Sequence, residues 1–203
     1  MLKRFFDIVS SSLGLLVLSP LFVIVALWVK YDSAGPIFFR QKRVGRNGVI
    51  FRIHKFRTMK LESEVAGKLT IGSDSRITRS GNFLRKYKID ELPQLIDVLI
   101  GKMSIVGPRP EVAEYMKLYS ESSRNKILSL RPGITDWASI EMVDENAILA
   151  EYPDPQAAYI RIIMPLKEKY YLEYVESNSF FGDILLIFRT IFKIIKRDKK
   201  GDI

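Results

Sequence analysis

Apolar and polar positions divide the chain into stretches of very different period. Residues 8–29 (IVSSSLGLLVLSPLFVIVALWV) run for 22 residues without a charge, close to the ~20 that a helix needs to cross a hydrocarbon layer. A cleaved signal sequence has a shorter apolar core of ~7 to 15 residues, followed by a small-residue cleavage site. Neither feature is found, so the segment is expected to stay attached. Pro20 has no amide hydrogen for the carbonyl of Leu16 and its ring crowds that carbonyl, so a helix here must bend. Ser19 is placed to satisfy the freed carbonyls. Cations flank both ends, Lys3 and Arg4 before and Lys30, Arg40, Lys42, Arg43 and Arg46 after, so charge gives no direction of crossing. Two arrangements stay open: a Pro-kinked single span, and a re-entrant helix hairpin broken at Ser19-Pro20 with both ends on one face.

Beyond this segment the period changes. Extended, alternating residues at 37–43 and 49–56 flank Gly45-Arg46-Asn47-Gly48, which predicts a β-hairpin. Residues 62–75 are polar and read as a loop. Apolar positions 92, 95, 96 and 99 have helical spacing, with Gly101 placed to end the helix. Residues 111–130 read as a second amphipathic helix closed by Arg131-Pro132-Gly133, 141–154 as an acidic loop, and 155–175 as helix interrupted at Pro165. Residues 180–197 (FFGDILLIFRTIFKIIKR) are strongly apolar yet carry Arg189, Lys193, Lys196 and Arg197. Such a helix lies in a membrane interface or packs on a core with a basic tail. Helices outnumber strands, so the expected fold is α+β and mostly helical, with a small β-hairpin, no long parallel sheet, and amphipathic interfacial helices around a compact body. At 203 residues the chain is too short for two ordinary domains. An anchor at 1–31 and one body at 32–203 are expected.

Charge narrows the partners. Lys and Arg outnumber Asp and Glu 32 to 23, for a net charge of +9, which predicts attraction to nucleic acid, anionic lipid or a phosphorylated small molecule without choosing among them. The absence of cysteine removes disulfides, thiolate nucleophiles and Cys-ligated zinc, and suits a reducing compartment. His54, the lone histidine, cannot build a histidine metal cluster. Between Arg40 and Lys60 stand eight basic residues and no acidic one. Such a run is a solvated face or, directly after a membrane segment, a contact with anionic headgroups.

Against this background the adjacent acids of Lys88-Ile89-Asp90-Glu91-Leu92-Pro93 stand out. Asp is a favoured N-cap, Glu suits a first helical turn and Pro93 is tolerated there, so a structural reading exists. The same placement, a helix start bearing two carboxylates within a basic shell, can hold a divalent cation and an anionic substrate together. Asp is also a nucleophile toward phosphorus. In Val106-Gly107-Pro108-Arg109-Pro110 the flanking prolines restrict Arg109, so its guanidinium can meet a phosphate at lower entropic cost. A rigid turn with a solvated arginine is the plain alternative.

Taken in order, the apolar N-terminus with Ser19-Pro20, Lys55-Phe56-Arg57-Thr58-Met59, Asp90-Glu91-Leu92-Pro93-Gln94, Val106-Gly107-Pro108-Arg109-Pro110 and Arg131-Pro132-Gly133-Ile134-Thr135 resemble the bacterial sugar transferases, the monotopic phosphoglycosyl transferases. The resemblance covers nearly the whole chain. It implies transfer of a sugar 1-phosphate from a UDP-sugar to polyprenyl (undecaprenyl) phosphate, with release of UMP, as the first membrane step of glycan assembly at the cytoplasmic face of the bacterial inner membrane. Asp90 matches the nucleophile that carries a covalent phosphosugar, and Glu91 its partner, with Mg²⁺ as cofactor and both acids as candidate ligands. Arg109 matches a phosphate-binding position; Lys55, Arg57, Arg76 and Arg79 are candidates for the phosphate or uridine shell. Ser19-Pro20 matches the break in the re-entrant helix. The implied partners are UDP-sugar, polyprenyl phosphate and anionic lipid, with no nucleic acid, and the resemblance leaves room for a homodimer. After Thr135 the chain departs from the family pattern: Asp136-Trp137-Ala138-Ser139-Ile140-Glu141 leads into an acidic insertion up to Asp154-Pro155, expected near nucleotide or sugar. The sugar is therefore open, with an N-acetylated amino sugar preferred and glucose or galactose in view. A catalytically silent membrane-surface protein is the competing class, and an integral-membrane adaptor a third.

Overall fold

The computed structural model describes residues 1–61, 74–142 and 145–198. The polar stretch expected as a loop at 62–75 lies outside the described residues over 62–73. Helix α1, Leu2–Asp32, is one run of 31 residues with a mean hydropathy of 2.5 in its most apolar window. It would measure about 46 Å at the usual rise per residue. It continues through Pro20, and the hydroxyl of Ser19 donates to the Leu16 carbonyl at 2.8 Å, replacing the amide that proline lacks. Where a helix hairpin broken at Ser19-Pro20 was expected over 1–31, the structure has one continuous helix.

Both ends of α1 are fastened to the rest of the molecule. At the start, Arg4 donates to the carbonyls of Val98 (2.6 Å) and Leu99 (2.9 Å), and Asp7 accepts from Ser104 Oγ (3.1 Å) and the Ile105 amide (3.0 Å). At the finish, Asp32 accepts from the Ser80 amide (2.8 Å) and hydroxyl (2.7 Å). Between them Leu13, Leu16, Val17, Val23, Ile24 and Leu27 remain exposed.

The hairpin expected from Asn-Gly is present in two antiparallel ladders. Strand β1 (Phe38–Phe39) pairs with β4 (Lys55–Phe56), and β2 (Lys42–Val44) pairs with β3 (Ile50–Arg52). Asn47 (φ 56°) and Gly48 (φ 77°) take the left-handed turn positions that those residue types tolerate. Phe56 packs with Val25 and Val29 of α1 and with Leu84, joining hairpin to anchor.

Helix α2 (Arg79–Lys86), the turn Ile89–Glu91 and helix α3 (Gln94–Leu99) follow. Strand β5 (Ser104–Val106) then pairs in parallel with β6 (Gly133–Thr135). Gly107 and Gly133 stand backbone to backbone, and a Cβ on Gly133 would overlap Gly107. The Gly107 amide donates to Thr135 (3.0 Å) and the Gly133 amide to Pro108 (3.0 Å), so two motifs far apart in sequence become one rigid ledge.

The single helix expected over 111–130 is instead two, α4 (Ala113–Met116) and α5 (Glu121–Leu128). Ser120 caps α5, accepting from the Ser123 amide at 3.1 Å, and a serine cap starts a helix rather than continuing one. The loop expected at 141–154 contains α7 (Glu145–Ala150), after α6 (Trp137–Glu141). It buries Leu149 in a core with Tyr115, Met116, Tyr159 and Tyr171. Helix α8 (Pro155–Ala158) passes through a π-turn, Tyr159–Ile163, into α9 (Met164–Ser177). The irregularity falls just before Pro165, whose missing amide is tolerated in a first turn.

Helix α10, Phe180–Asp198, is amphipathic as expected. Asp183 and Leu186 are buried, whereas Phe181, Leu185, Phe188, Phe192 and Ile195 are exposed. Lys3 of α1 reaches this end of the molecule too, donating to Tyr174 Oη and to the Val106 carbonyl, both at 2.9 Å, and pairing with Asp183.

Candidate active site

The two acids are presented by a strained turn. Past α2, Lys88 adopts left-handed dihedrals (φ 58°), which cost a non-glycine residue roughly 1–2 kcal/mol, and the chain turns into Ile89–Glu91 with both carboxylates buried. The capping reading is not realised. Pro93 precedes α3, and no side chain caps either that helix or the turn.

Adjacent in sequence, Asp90 and Glu91 differ in surroundings. Arg109 grips Glu91 with both terminal guanidinium nitrogens, Nη1 at 3.1 Å from Oε2 and Nη2 on Oε1. Lys55 Nζ adds 2.8 Å to Oε1. Burial pushes the Glu91 pKa up, but Arg109 and Lys55 outweigh it and hold the carboxyl well below the usual range. Asp90 is moved the other way, upward, first by burial and then by the Glu91 charge. Its Oδ1 is buried without a hydrogen-bond partner. Leaving such a group unmet costs about 1–3 kcal/mol, and a cap would have supplied ~0.5–2 kcal/mol of stabilisation instead. The fold forgoes one and bears the other, which makes Asp90 the candidate for chemistry in this cleft.

Lys55 sits on β4, and burial lowers its pKa to about 8 although Glu91 pulls it back up. Arg109 stands at the end of the β5–β6 ledge. All four residues line a cleft of about 760 Å³, which Arg43, Arg85 and Lys88 also line. These last three were not picked out as site residues from sequence. The signal available for Arg85 was its place in the last turn of α2, five residues before Asp90. At the other end the cleft reaches Glu111, Glu145, Tyr159, Lys167 and Tyr171, and α10 closes one side with Thr190 and Lys193.

Three expected cations are elsewhere. Arg57 is buried and donates to the carbonyls of Val29 (3.2 Å), Ser33 (2.7 Å) and Ala34. It satisfies the carbonyls that the end of α1 leaves open, so its expected substrate role is corrected to a cap. Arg76 is engaged by Asp74, Nη2 to Oδ2 at 2.6 Å, and Arg79 is exposed at the start of α2; neither lines the cleft. Ser19 and Pro20 lie in the exposed middle of α1.

Among the described residues no cluster of three or more metal-ligating side chains exists. The donor set is instead the 90–91 pair. Both oxygens of Glu91 are held by cations, and Asp90 Oδ1 is open. This suits a hard cation that takes one or two carboxylates and completes its shell with phosphate and water, with Asp90 rather than Glu91 as the available ligand.

The sequence profile of the family described as bacterial sugar transferase matches residues 1–197. The UDP-glucose:undecaprenyl-phosphate glucose-1-phosphate transferase of Escherichia coli (strain K12) is 39% identical over 196 residues, covering 95% of this chain and 40% of that protein. The UDP-N-acetylgalactosamine-undecaprenyl-phosphate N-acetylgalactosaminephosphotransferase of Aeromonas hydrophila is 34% identical over 197 residues, 96% of this chain and 44% of its own. The chain thus spans less than half the length of these two relatives. The exopolysaccharide production protein PSS of Rhizobium leguminosarum bv. phaseoli is 38% identical over 207 residues, 98% of this chain and 97% of its own. With a family match over residues 1–197, and with Lys55, Asp90, Glu91, Arg109 and Thr135 of the quoted motifs lining one cleft, the chain belongs to the bacterial sugar transferases.

Proposed function

We propose that the protein transfers a sugar 1-phosphate from a UDP-sugar to polyprenyl phosphate, releasing UMP, through a phosphosugar carried on Asp90. The observation that carries this reading is the unpartnered Asp90 Oδ1 beside a Glu91 whose charge is already met. The Asp90 carboxylate attacks the β-phosphorus of the UDP-sugar. An acyl-phosphate bond forms, the bond from β-phosphorus to the bridging oxygen breaks, and UMP leaves with that oxygen. A phosphate oxygen of the lipid then attacks the same phosphorus, giving the polyprenyl-diphosphate sugar and returning Asp90. Glu91 keeps Arg109 and Lys55 aimed at the diphosphate. Arg85 and Lys88 add positive charge where it must be neutralised for a carboxylate to approach phosphorus. Mg²⁺ held by Asp90 would supply further neutralisation of the diphosphate. A silent surface protein would leave the open Asp90 oxygen without a purpose.

The membrane reading rests on α1 and α10. A helix crossing the bilayer would put its ends ~30 Å or more apart on opposite sides, yet Arg4 and Asp7 at one end and Asp32 at the other bond to the same body. That supports a monotopic anchor over 1–31, dipping into one leaflet, with the body at 32–203 on a single face, which the family resemblance implies is the cytoplasmic one. The exposed Phe181, Phe188 and Phe192 of α10, flanked by Arg189 and Lys196, suit the plane of an anionic interface. The relatives name glucose in one case and N-acetylgalactosamine in another, so family membership leaves the sugar open.

The test mixes purified protein, Mg²⁺, a polyprenyl phosphate and a panel of UDP-sugars, and measures UMP. Without the lipid, the peptide containing Asp90 should gain the mass of one sugar phosphate. Turnover with an unmodified peptide would reject the covalent route.

A further inference from the structure

Past Arg109 the cleft runs into a second polar cluster that the proposed chemistry leaves unused. Lys167 of α9 is buried, and its Nζ lies 2.9 Å from Glu145 Oε2, 3.2 Å from Tyr159 Oη and 3.8 Å from Glu111 Oε1. Tyr159 Oη donates to Glu111 Oε1 at 3.1 Å, and the Lys167 ammonium stands 4.8 Å over the Tyr159 ring. Arg43, partly buried, adds a second positive charge beside Glu111. Two carboxylates thus face two cations, and these four charges balance without a ligand; the neighbouring buried Asp136 is bonded by Ser139 and faces Arg109 as well as Lys167.

Hydrogen bonding is not balanced. Tyr171, one helical turn beyond Lys167, is 1% exposed and lines the cleft, and its hydroxyl is buried with no partner. Arg43, on β2, also lines the cleft, and its Nε is likewise buried and unpartnered. Buried polar groups left open in this way are uncommon in folded proteins. Both are absorbed if a ligand supplies neutral donors and acceptors there. A cluster already balanced offers a charged ligand group no net attraction to offset the hydration it would lose on burial, whether that group is a carboxylate or an ammonium. Hydroxyl groups bear no such charge penalty.

We propose that Tyr171, backed by the Lys167–Glu111–Tyr159–Glu145 cluster, forms the subsite that reads the hydroxyls of the sugar, and that it selects an uncharged hexose. The proposal rests on the transferase reading above and adds the class of sugar and the residues that choose it. It also gives the atypical segment after Thr135 a role, since Ser139, Met142 and Glu145 line the same cleft.

The experiment uses the full chain and Tyr171→Phe, with UDP-glucose, UDP-galactose, UDP-N-acetylglucosamine and UDP-glucuronic acid. UMP release, inhibition by added UMP and Tm are recorded for both proteins. Wild type should use a neutral sugar and disfavour the uronic acid by about 100-fold or more, as a carboxylate taken out of water into an already balanced site is left without a counter-charge of its own. Tyr171→Phe should lower kcat/KM for the preferred sugar about tenfold and reduce the discrimination between glucose and galactose, because a site that bonds a hydroxyl loses selectivity with the bond. Inhibition by UMP should change by less than about twofold. Tm should hold or rise, since removing an unmet buried hydroxyl relieves a penalty. Unchanged kcat/KM ratios in the folded variant would make the hydroxyl a packing accident. Weakened UMP inhibition in parallel with kcat/KM would put uridine in the pocket instead. Equal use of UDP-glucuronic acid by wild type would overturn the charge argument. No UMP from any sugar would remove the transferase reading itself, and this subsite with it.

Discussion

The two ends of the cleft are built from the same kinds of side chain and arrive at opposite states. At the Glu111 end, carboxylates and cations cancel, and what remains open is hydrogen-bonding capacity: the Tyr171 hydroxyl and Arg43 Nε. At the Asp90 end, Lys55 and Arg109 converge on one carboxylate while its neighbour keeps an empty oxygen, with Arg85 and Lys88 close by. Charge there awaits completion by a ligand. An end that is electrically complete can choose by shape and hydroxyl pattern; an end that is incomplete attracts diphosphate and tolerates little else.

The sharpest way to break this contrast is Asp90→Asn. It keeps size and shape and touches no cap, so Tm should hold or rise, whereas turnover should fall by at least about 10³-fold for loss of a nucleophile. Near-normal turnover without deamidation back to Asp would make the two ends equivalent. Next is Arg109→Ala, expected to lose about 10²-fold in kcat/KM, in the range seen when a charge-stabilising donor is removed. Arg109→Lys should recover only part, because the two-pronged grip on Glu91 is lost; full recovery would reduce the position to generic charge.

A pH profile comes third. In the proposed reaction Lys55 would bind phosphate as an ammonium, and its pKa is lowered to about 8, so kcat/KM should decline above about pH 8 in the free enzyme. Lys55→Arg should remove that decline. In the unfolded chain the lysine stays protonated to its ordinary 10.5. Between pH 8 and 10.5 the unfolded state therefore binds more protons, and this group's contribution to stability rises with pH. Activity should fall where this lysine does not weaken the fold, and unfolding that follows the activity curve would discount the assignment. The smallest effect is expected at the balanced end. Glu145→Gln leaves Lys167 beside Glu111, and because Glu145 is partly exposed (27% of its side chain) the loss should be under about 1 kcal/mol by thermal unfolding.

These contrasts were legible in the sequence only in part, and locality explains which part. The apolar run of α1, the Asn-Gly hairpin and the amphipathic α10 each declare themselves within about twenty residues. The Asp90-Glu91 pair was visible as a motif, but its division into a satisfied and an open carboxylate depends on Lys55 and Arg109, which other elements bring in. The docking of Val106-Gly107-Pro108 on Pro132-Gly133-Ile134 is a short parallel pairing between distant segments, and it leaves no periodic trace. Arg57 was misplaced because its partners are backbone carbonyls 23 to 28 positions earlier, and no side chain there advertises them. Lys167 and Tyr171 lie in an ordinary helical stretch, where nothing separates a core tyrosine with a met hydroxyl from one without.

The fastening of α1 at both ends has a mechanical consequence. A single tether would let the body swing and sample many heights above the lipid. A beam pinned near Asp7 and again at Asp32 fixes both tilt and depth, so the distance from the acyl region to Asp90 becomes a constant of the fold rather than of the bilayer. A spanning anchor must adjust to hydrocarbon thickness by tilting or kinking. If, as proposed, the pinned anchor rests in a single leaflet, it has no second surface to reach, and its cleft should keep the same working height in thin and thick membranes alike.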